Sequence, residues 1–431
     1  MNRKILYMVL LSILSGTNYM FSVEALAVGK RTNTLDLGLW KVSEWISVKD
    51  TPVITGRIEG SNERAADGSD WFLSTVKNDK KVVSAKWMTS GLGVYNLFVN
   101  GKPIGEEVLK PGFTHYAKTK LSFTYDITEA ISTRKNAENT FAVQVTPGWW
   151  GDKIITPAGH DGMIGKKVAF RGVLELTYSD GSKKYYGTNT CDWKAGTGGP
   201  VKHAAIFDGE EYDAREKPAY FGAFFLAEPE VNDEFTGNIF PSVGAEVYRR
   251  YDLALTPQKA YKWKDVTGSN NDEYGKVVIV EEFDGSKDYV VRPGETLVID
   301  FGQNCAAVPM FEFKAMKGTS LKCYPSEMLN DGNGAKNRGM DGPEGSVHRL
   351  NLRIPDSGML LKYTFGDNND YVSYLPECTF YGYRYISVDV DDEVHIKSVK
   401  SIPITSIANT LETGTITTGN PLINQLISNT M

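Results

Sequence analysis

From Trp71 to Val145, apolar and polar residues alternate with period two. The runs VVSAKWMTS, GVYNLFVN, LSFTYDIT and FAVQV each put every second side chain on one face, the pattern of half-buried strands. Asn100-Gly101 in LFVNGKPIG predicts a tight hairpin, because both residue types accept the positive φ that a primed turn needs. AFRGVLELTYSDG adds a further strand, and its Asp180-Gly181 a further turn. No long helical periodicity interrupts these runs. They predict a β-sandwich or jelly-roll-like domain over residues 71–218, preceded by a lead-in segment at 26–70.

A linking β region follows at 219–290, where AEPEVNDEFTGNIFPSVG is rich in Pro, Gly, Asn and Glu and GKVVIVEEF reads as a strand. Residues 291–408 return to strand runs: ETLVIDFG, VPMFEFKA, TSLKCYP, LNLRIP, LLKYTF, CTFYGYRYISVDV and HIKSVKSIPI. Among them lies LNDGNGAKNRGMDGPEGS, a polar, glycine-rich loop long enough to suggest a role or local mobility. The pattern changes at 409–431. GNPLINQLISNTM offers Asn420 as a cap, Pro421 at the first helical position, and Leu422, Ile423, Leu426 and Ile427 at helical spacing. The chain thus reads as all-β, with tandem β-sandwich or jelly-roll-like domains and the start of a helix at its C-terminus.

The N-terminal MNRKILYMVLLSILSG has early basic residues and then a short apolar run, with small residues at Ala25 and Ala27. It reads as a signal peptide over residues 1–25, which predicts an exported protein, periplasmic or extracellular, that does not span the membrane once processed. The formal charge of -6, without a basic block, argues against nucleic-acid binding. Export permits disulfides. Cys191, Cys305, Cys323 and Cys378 are widely spaced in strand-like contexts, so buried thiols and bridges both stay open, and no CxxC pair suggests zinc.

Two features stand out as candidate chemistry. TPGWWGD bends the chain after FAVQV, yet it spends two tryptophans there. Alternation would send the rings of Trp149 and Trp150 to different sides, one into a core or interface and one partly exposed. The densest polar motif is Asp208-Gly209-Glu210-Glu211-Tyr212-Asp213-Ala214-Arg215. Arg215 suits an ion pair better than catalysis. His348, Arg349 and Glu327 lie at loop or strand ends, and His115, Tyr116 and Tyr125 are expected around a sandwich rim.

Several of these segments resemble one family in the expected order. GLGVYNLFVNGKPIGEEVLKPGFTHYAKTKLSFTYDIT, TPGWWGD, RGVLELTYSDG, TNTCDWK and IFDGEEYDAR resemble the N-terminal β domain of bacterial α-L-rhamnosidases. VIDFGQNCAAVPMFEF, SEMLN and PECTFYGYRYISV resemble the concanavalin-like sandwich placed before the catalytic barrel of those enzymes. The resemblance implies that GNPLINQLISNT opens an (α/α) barrel whose acidic residues act as general acid and base in an inverting hydrolysis. That barrel is expected to be missing, so 409–431 is read as its truncated start and no catalytic residue is assigned.

The resemblance also implies a rhamnose-containing glycan as partner. A sugar-binding reading takes Trp149 and Trp150 as stacking platforms, with Asp152, His160, Asp208, Glu210, Tyr212, Asp213 and Arg215 as polar contacts. The alternative is that the 208–215 motif braces the domain junction. Some relatives bind rhamnose through calcium, which needs hard oxygen ligands. Asp152, Asp161 and Asp208 are the candidates, and no compact loop gathers them. DGNGAKNRGMDG lacks the terminal glutamate and the flanking helices of an EF-hand. Three readings stand: the accessory part of a rhamnosidase-like hydrolase, a non-catalytic carbohydrate-binding protein, or a scaffold pair.

Overall fold

The computed structural model describes residues 27–49, 68–152, 164–222, 226–285, 287–331, 336, 341–349, 359–367, 370–407 and 414–430. His160, Asp161 and LNLRIP lie outside them.

Period-two patterning becomes two facing sheets. One runs in the order Trp193–Thr197, Asp70–Lys77, Glu138–Thr146, Val94–Val99 and Lys102–Ile104. The other is built on Thr119–Asp126, Val82–Leu92 and Ala169–Tyr178, paired side by side. Phe72, Trp87, Tyr95, Phe123, Phe141 and Phe170 fill the space between, with Trp87 edge-on to Phe141 at 5.3 Å. Burying such rings is the main term holding the layers together. The Asn100-Gly101 hairpin forms as the sequence suggests: Val99 faces Lys102, and the two turn residues take φ of 51° and 75°. The lead-in segment joins this sandwich too. Lys30–Arg31 pairs with Thr119–Asp126, and Ile46–Ser47 pairs with Ala169–Tyr178.

The second body is centred on one strand, Thr296–Ala315. The sequence reads this as two strands, ETLVIDFG and VPMFEFKA. The backbone instead runs through an irregularity between Asp300 and Cys305 without breaking. Its first half pairs with Lys259–Thr267 and Tyr381–Val390, its second half with Val394–Thr405. Leu297, Ile299, Phe311, Phe313, Tyr363 and Ile386 form its core. All four cysteines are free thiols, and Cys323 and Cys378 are buried. The C-terminal helix, Pro421–Thr430, begins at the expected cap: Asn420 Oδ1 accepts from the Leu422 amide at 2.9 Å.

The two bodies share an element. The strands Val201–Ala205 and Gly209–Asp213 lie within the first sequence unit, yet they pair into the large second sheet. Gly209–Asp213 runs parallel to Leu360–Thr364. The chain crosses over at Gly198-Gly199-Pro200. Ser69 Oγ and Trp71 Nε1 both donate to the Gly198 carbonyl there, at 3.0 and 3.1 Å. Asp70, beside them, accepts the Thr197 hydroxyl. Burial lifts its carboxyl to about 6, a rise that the Thr197 bond and the Lys167 charge only partly oppose.

Folding therefore favours protonated Asp70. Its penalty is absent below the ordinary carboxylate range and grows as the pH rises through about 6. We expect Asp70→Asn to stabilise the protein by up to about 3 kcal/mol at about pH 8 and to be near neutral at about pH 3. Urea unfolding at the two pH values checks this.

Candidate functional site: the domain junction

TPGWWGD is a helical turn, Gly148–Gly151, rather than an extended bend. The two rings therefore diverge by helical rotation, not by strand alternation. Gly148 sits at φ +49°, where a Cβ would come within 2.5 Å of Val94. No other residue type lets the chain turn this close to the sheet.

Trp150 is buried at 3% exposure, and its Nε1 donates to the Lys167 carbonyl at 2.8 Å. It packs with Leu35, Trp40, Met88 and Phe235 and stands edge-on to Tyr116 at 5.7 Å. The Lys120 ammonium lies 3.9 Å from the Tyr116 ring centre and 4.8 Å from that of Trp150. Lys120 is buried, and burial pushes its amine well below the ordinary lysine value. The aromatic faces offset part of that cost for the charged form.

Trp149 is half-buried and lies between the two bodies. It packs in one apolar cluster with Val94 and Leu109 from the first sandwich, Ile206 and Phe207 from the crossover hairpin, and Phe380 and Ile404 from the second body. Phe207 is edge-on at 5.5 Å, and so is Phe113 at 5.9 Å. Phe113 is 59% exposed, so the aromatic strip reaches solvent at one end. Asp152 is buried, and its Oδ2 accepts the Ile206 amide at 2.6 Å, tying the helical turn to the crossover hairpin.

The 208–215 motif divides along its strand. Glu210 and Tyr212 face the core, while Glu211 pairs with Lys362 on the opposite side at 3.4 Å. Glu210 is buried and accepts three hydrogen bonds: from the Tyr374 hydroxyl, from the Glu377 amide at 3.1 Å and from the Cys378 amide at 2.8 Å. Burial raises its carboxyl above the ordinary value, against the pull of these donors. Tyr212 stacks on Tyr363 at 5.6 Å and meets Tyr374 at 4.8 Å. Asp213 is forked by Arg215, with Nε and Nη2 donating at 2.8 and 2.6 Å. Burial pushes the Asp213 carboxyl up, but the Arg215 fork outweighs it and holds the group below its ordinary value. The Asp208 carbonyl accepts the Leu360 amide at 3.0 Å.

The structure thus gathers Trp149, Asp152, Glu210 and Tyr212 around the junction and leaves Arg215 exposed on its rim. Residues outside the candidate polar set complete it: Tyr374, which the sequence does not single out, and Glu377, Cys378 and Phe380, which lie within PECTFYGYRYISV but are not read there as site residues. They lie more than 160 residues along the chain from Glu210 (the Glu210–Tyr374 separation is 164), and no local signal couples the two stretches.

Tyr116 and Tyr125, expected on a rim, are buried instead, and Tyr125 donates to Glu107 at 2.9 Å. His115 is exposed. Arg349 covers the Tyr324 ring at 3.5 Å, the His348 amide donates to the Met328 carbonyl, and Glu327 accepts from Asn304. Among the described residues, no three His, Cys, Asp or Glu side chains converge as a metal site.

Comparison with known proteins agrees with this architecture. Residues 80–233 match the family model of the α-L-rhamnosidase N-terminal domain, and residues 291–405 match that of the bacterial α-L-rhamnosidase concanavalin-like domain. An α-L-rhamnosidase of Formosa agariphila is 24% identical over 90% of this chain and 37% of its own length. One from Streptomyces avermitilis is 28% identical over 72% of this chain and 25% of its own. Among solved structures, the α-L-rhamnosidase of Aspergillus terreus superposes with a TM-score of 0.66 at 23% identity, covering 90% of this chain and 39% of that one. The Streptomyces avermitilis enzyme complexed with L-rhamnose gives 0.64 at 24%, covering 85% and 31%. These superpositions speak to the fold. The chain spans 25–38% of the length of the curated relatives it matches. Among the described residues there is no helical barrel; the α-helices are Gly148–Gly151 and Pro421–Thr430.

Proposed function

Because the chain carries two domains of the α-L-rhamnosidase family, we propose that it forms the accessory β portion of an exported glycoside hydrolase that releases terminal α-L-rhamnose from polysaccharides or glycosides. Its task is to present a rigid platform to a helical catalytic body and to help position the glycan. The observation that carries this reading is the helix Pro421–Thr430. It buries no residue, and it exposes Leu422, Ile423 and Leu426 at 80%, 45% and 65%. A ten-residue helix is marginal in water, so an apolar stripe of this kind calls for a packing partner. The basic-then-apolar N-terminus supports export.

The test is an assay of the purified 431-residue chain on an aryl α-L-rhamnopyranoside. We expect no turnover above the blank. Turnover that a substitution within the chain abolishes contradicts the reading.

A second reading, a non-catalytic carbohydrate-binding protein, draws on the exposed Phe113 edge-on to Trp149. Titration with rhamnose and its oligomers, with and without calcium, separates it from a scaffold role. Binding lost in Phe113→Ala supports it, and absence of binding rejects it.

A further inference from the structure

The strand Thr119–Asp126 buries a basic side chain under two aromatic rings. Lys120 is 1% exposed, and Ile239 of the adjacent strand lies beside it in register. Among the described residues no carboxylate pairs with its Nζ, and burial alone pushes the amine down. The acids on the elements packed around it are engaged elsewhere. Asp36 accepts the Gly38 amide, Asp152 the Ile206 amide and Glu234 the Lys166 amide, while Glu230 pairs with Lys167 and Glu175 with Lys183. Arg171 donates to the Trp40 and Ser43 carbonyls, and Lys86 sits opposite Asp126 at the far end of the strand. Lys41, Glu44, His115, Lys118 and Asp233 are exposed. The Tyr116 hydroxyl donates to the Gly112 carbonyl at 3.3 Å. A charge on Lys120 therefore meets only ring faces, which return part of what its burial costs.

Trp150, one wall of this cage, shares the turn Gly148–Gly151 with Trp149. The Gly151 and Asp152 amides donate to the Pro147 and Gly148 carbonyls at 2.9 and 3.0 Å, so the turn moves as one piece. One of its rings belongs to the cage and the other to the seam between the two bodies. Asp152, at its end, holds the crossover hairpin. Tyr116, the other wall, meets the exposed Phe113 edge-on at 5.1 Å, so a shift of the Tyr116 ring opens the cage toward solvent.

From a caged amine without a counter-ion, walled by a turn that also fills the seam, we propose that Lys120 is a proton switch: proton uptake parts Tyr116 from Trp150 and slackens the seam at Trp149. The fold accepts the neutral amine. The stability that Lys120 leaves intact above the ordinary lysine range is therefore lost progressively as the pH falls below about 10. Asp70 acts in the opposite sense, its penalty growing as the pH rises through about 6. A variant at position 120, compared with the parent at each pH, isolates the lysine. The inference needs neither a glycan nor turnover, so it stands or falls apart from the function proposed above.

The experiment follows the whole chain by NMR of isotope-labelled lysine side chains, by thermal melts and by hydrogen exchange corrected for intrinsic rates. We expect one lysine Cε resonance to titrate well below the ordinary lysine range. It is assigned by its loss in Lys120→Met, or in Lys120→Arg if the first does not fold. The melting temperature of Lys120→Met should exceed the parent's by a margin that grows by several degrees between about pH 10 and about pH 6. Over that interval the Ile206 amide, held by Asp152, should lose about ten-fold in protection in the parent and keep it in the variant. Lys120→Arg, charged throughout, should resemble at about pH 10 the parent at about pH 6. Lysines that all titrate together in the ordinary range, a constant melting gap, or protection that falls equally in both proteins overturns the inference.

Discussion

Trp150→Ala is expected to destabilise the protein by about 3–5 kcal/mol, the range for removing a large buried aromatic side chain. The loss has three parts. The indole fills a space among Leu35, Trp40, Met88 and Phe235 that the surrounding strands cannot close. Its Nε1 satisfies the Lys167 carbonyl. It also forms one wall around the buried Lys120 amine, whose charged form loses a favourable aromatic contact without it. Trp150→Phe should cost less, since it keeps an aromatic wall and forfeits mainly the hydrogen bond and some volume. Urea denaturation of the three proteins checks the order. An alanine variant as stable as the parent contradicts the buried-plug role of Trp150.

Glu210→Ala is the second large effect. Three donors converge on that carboxylate: one hydroxyl and two backbone amides. Truncation leaves them buried without an acceptor, and each orphaned group costs about 1–3 kcal/mol. A total of about 3 kcal/mol or more is expected, read again by urea unfolding. Glu210→Gln keeps one acceptor oxygen but turns an N–H2 group toward the remaining donors. Its loss should be intermediate. If alanine and glutamine cost the same small amount, Glu210 is not bracing the loop at 374–378.

Much of this architecture was legible in the pattern of residues, for a physical reason. Where one face of a sheet is buried and the other wet, period two is a direct record of the pleat, as in Leu360–Thr364 and the last four residues of Asp70–Lys77. The pattern misleads where both faces are covered. Lys120, Ser122 and Thr124 alternate with Leu121, Phe123 and Tyr125 and so read as solvent-facing. All three are 1–3% exposed. Near Lys120, Trp150, Phe235 and Ile239 fold over the second face, and Asn238–Pro241 runs along the strand beside it.

The junction was the harder part. DGEEYDAR shows its density of charge locally, but the donors that use Glu210 come from another part of the chain, and the strand order that unites them is not a local property. TPGWWGD posed the right question with the wrong backbone. A helical turn, enforced where Gly148 meets Val94, sends one ring into the first sandwich and the other into the seam.

The two sandwiches form one mechanical unit, joined by the shared strands at 201–213 and by the apolar seam around Trp149. Differential scanning calorimetry of the whole chain, alone and with Phe380→Ala in that seam, tests it most directly. A single transition that moves as a whole to lower temperature in the variant is the predicted result. Two independent transitions in the parent, with only the second displaced by Phe380→Ala, would contradict it.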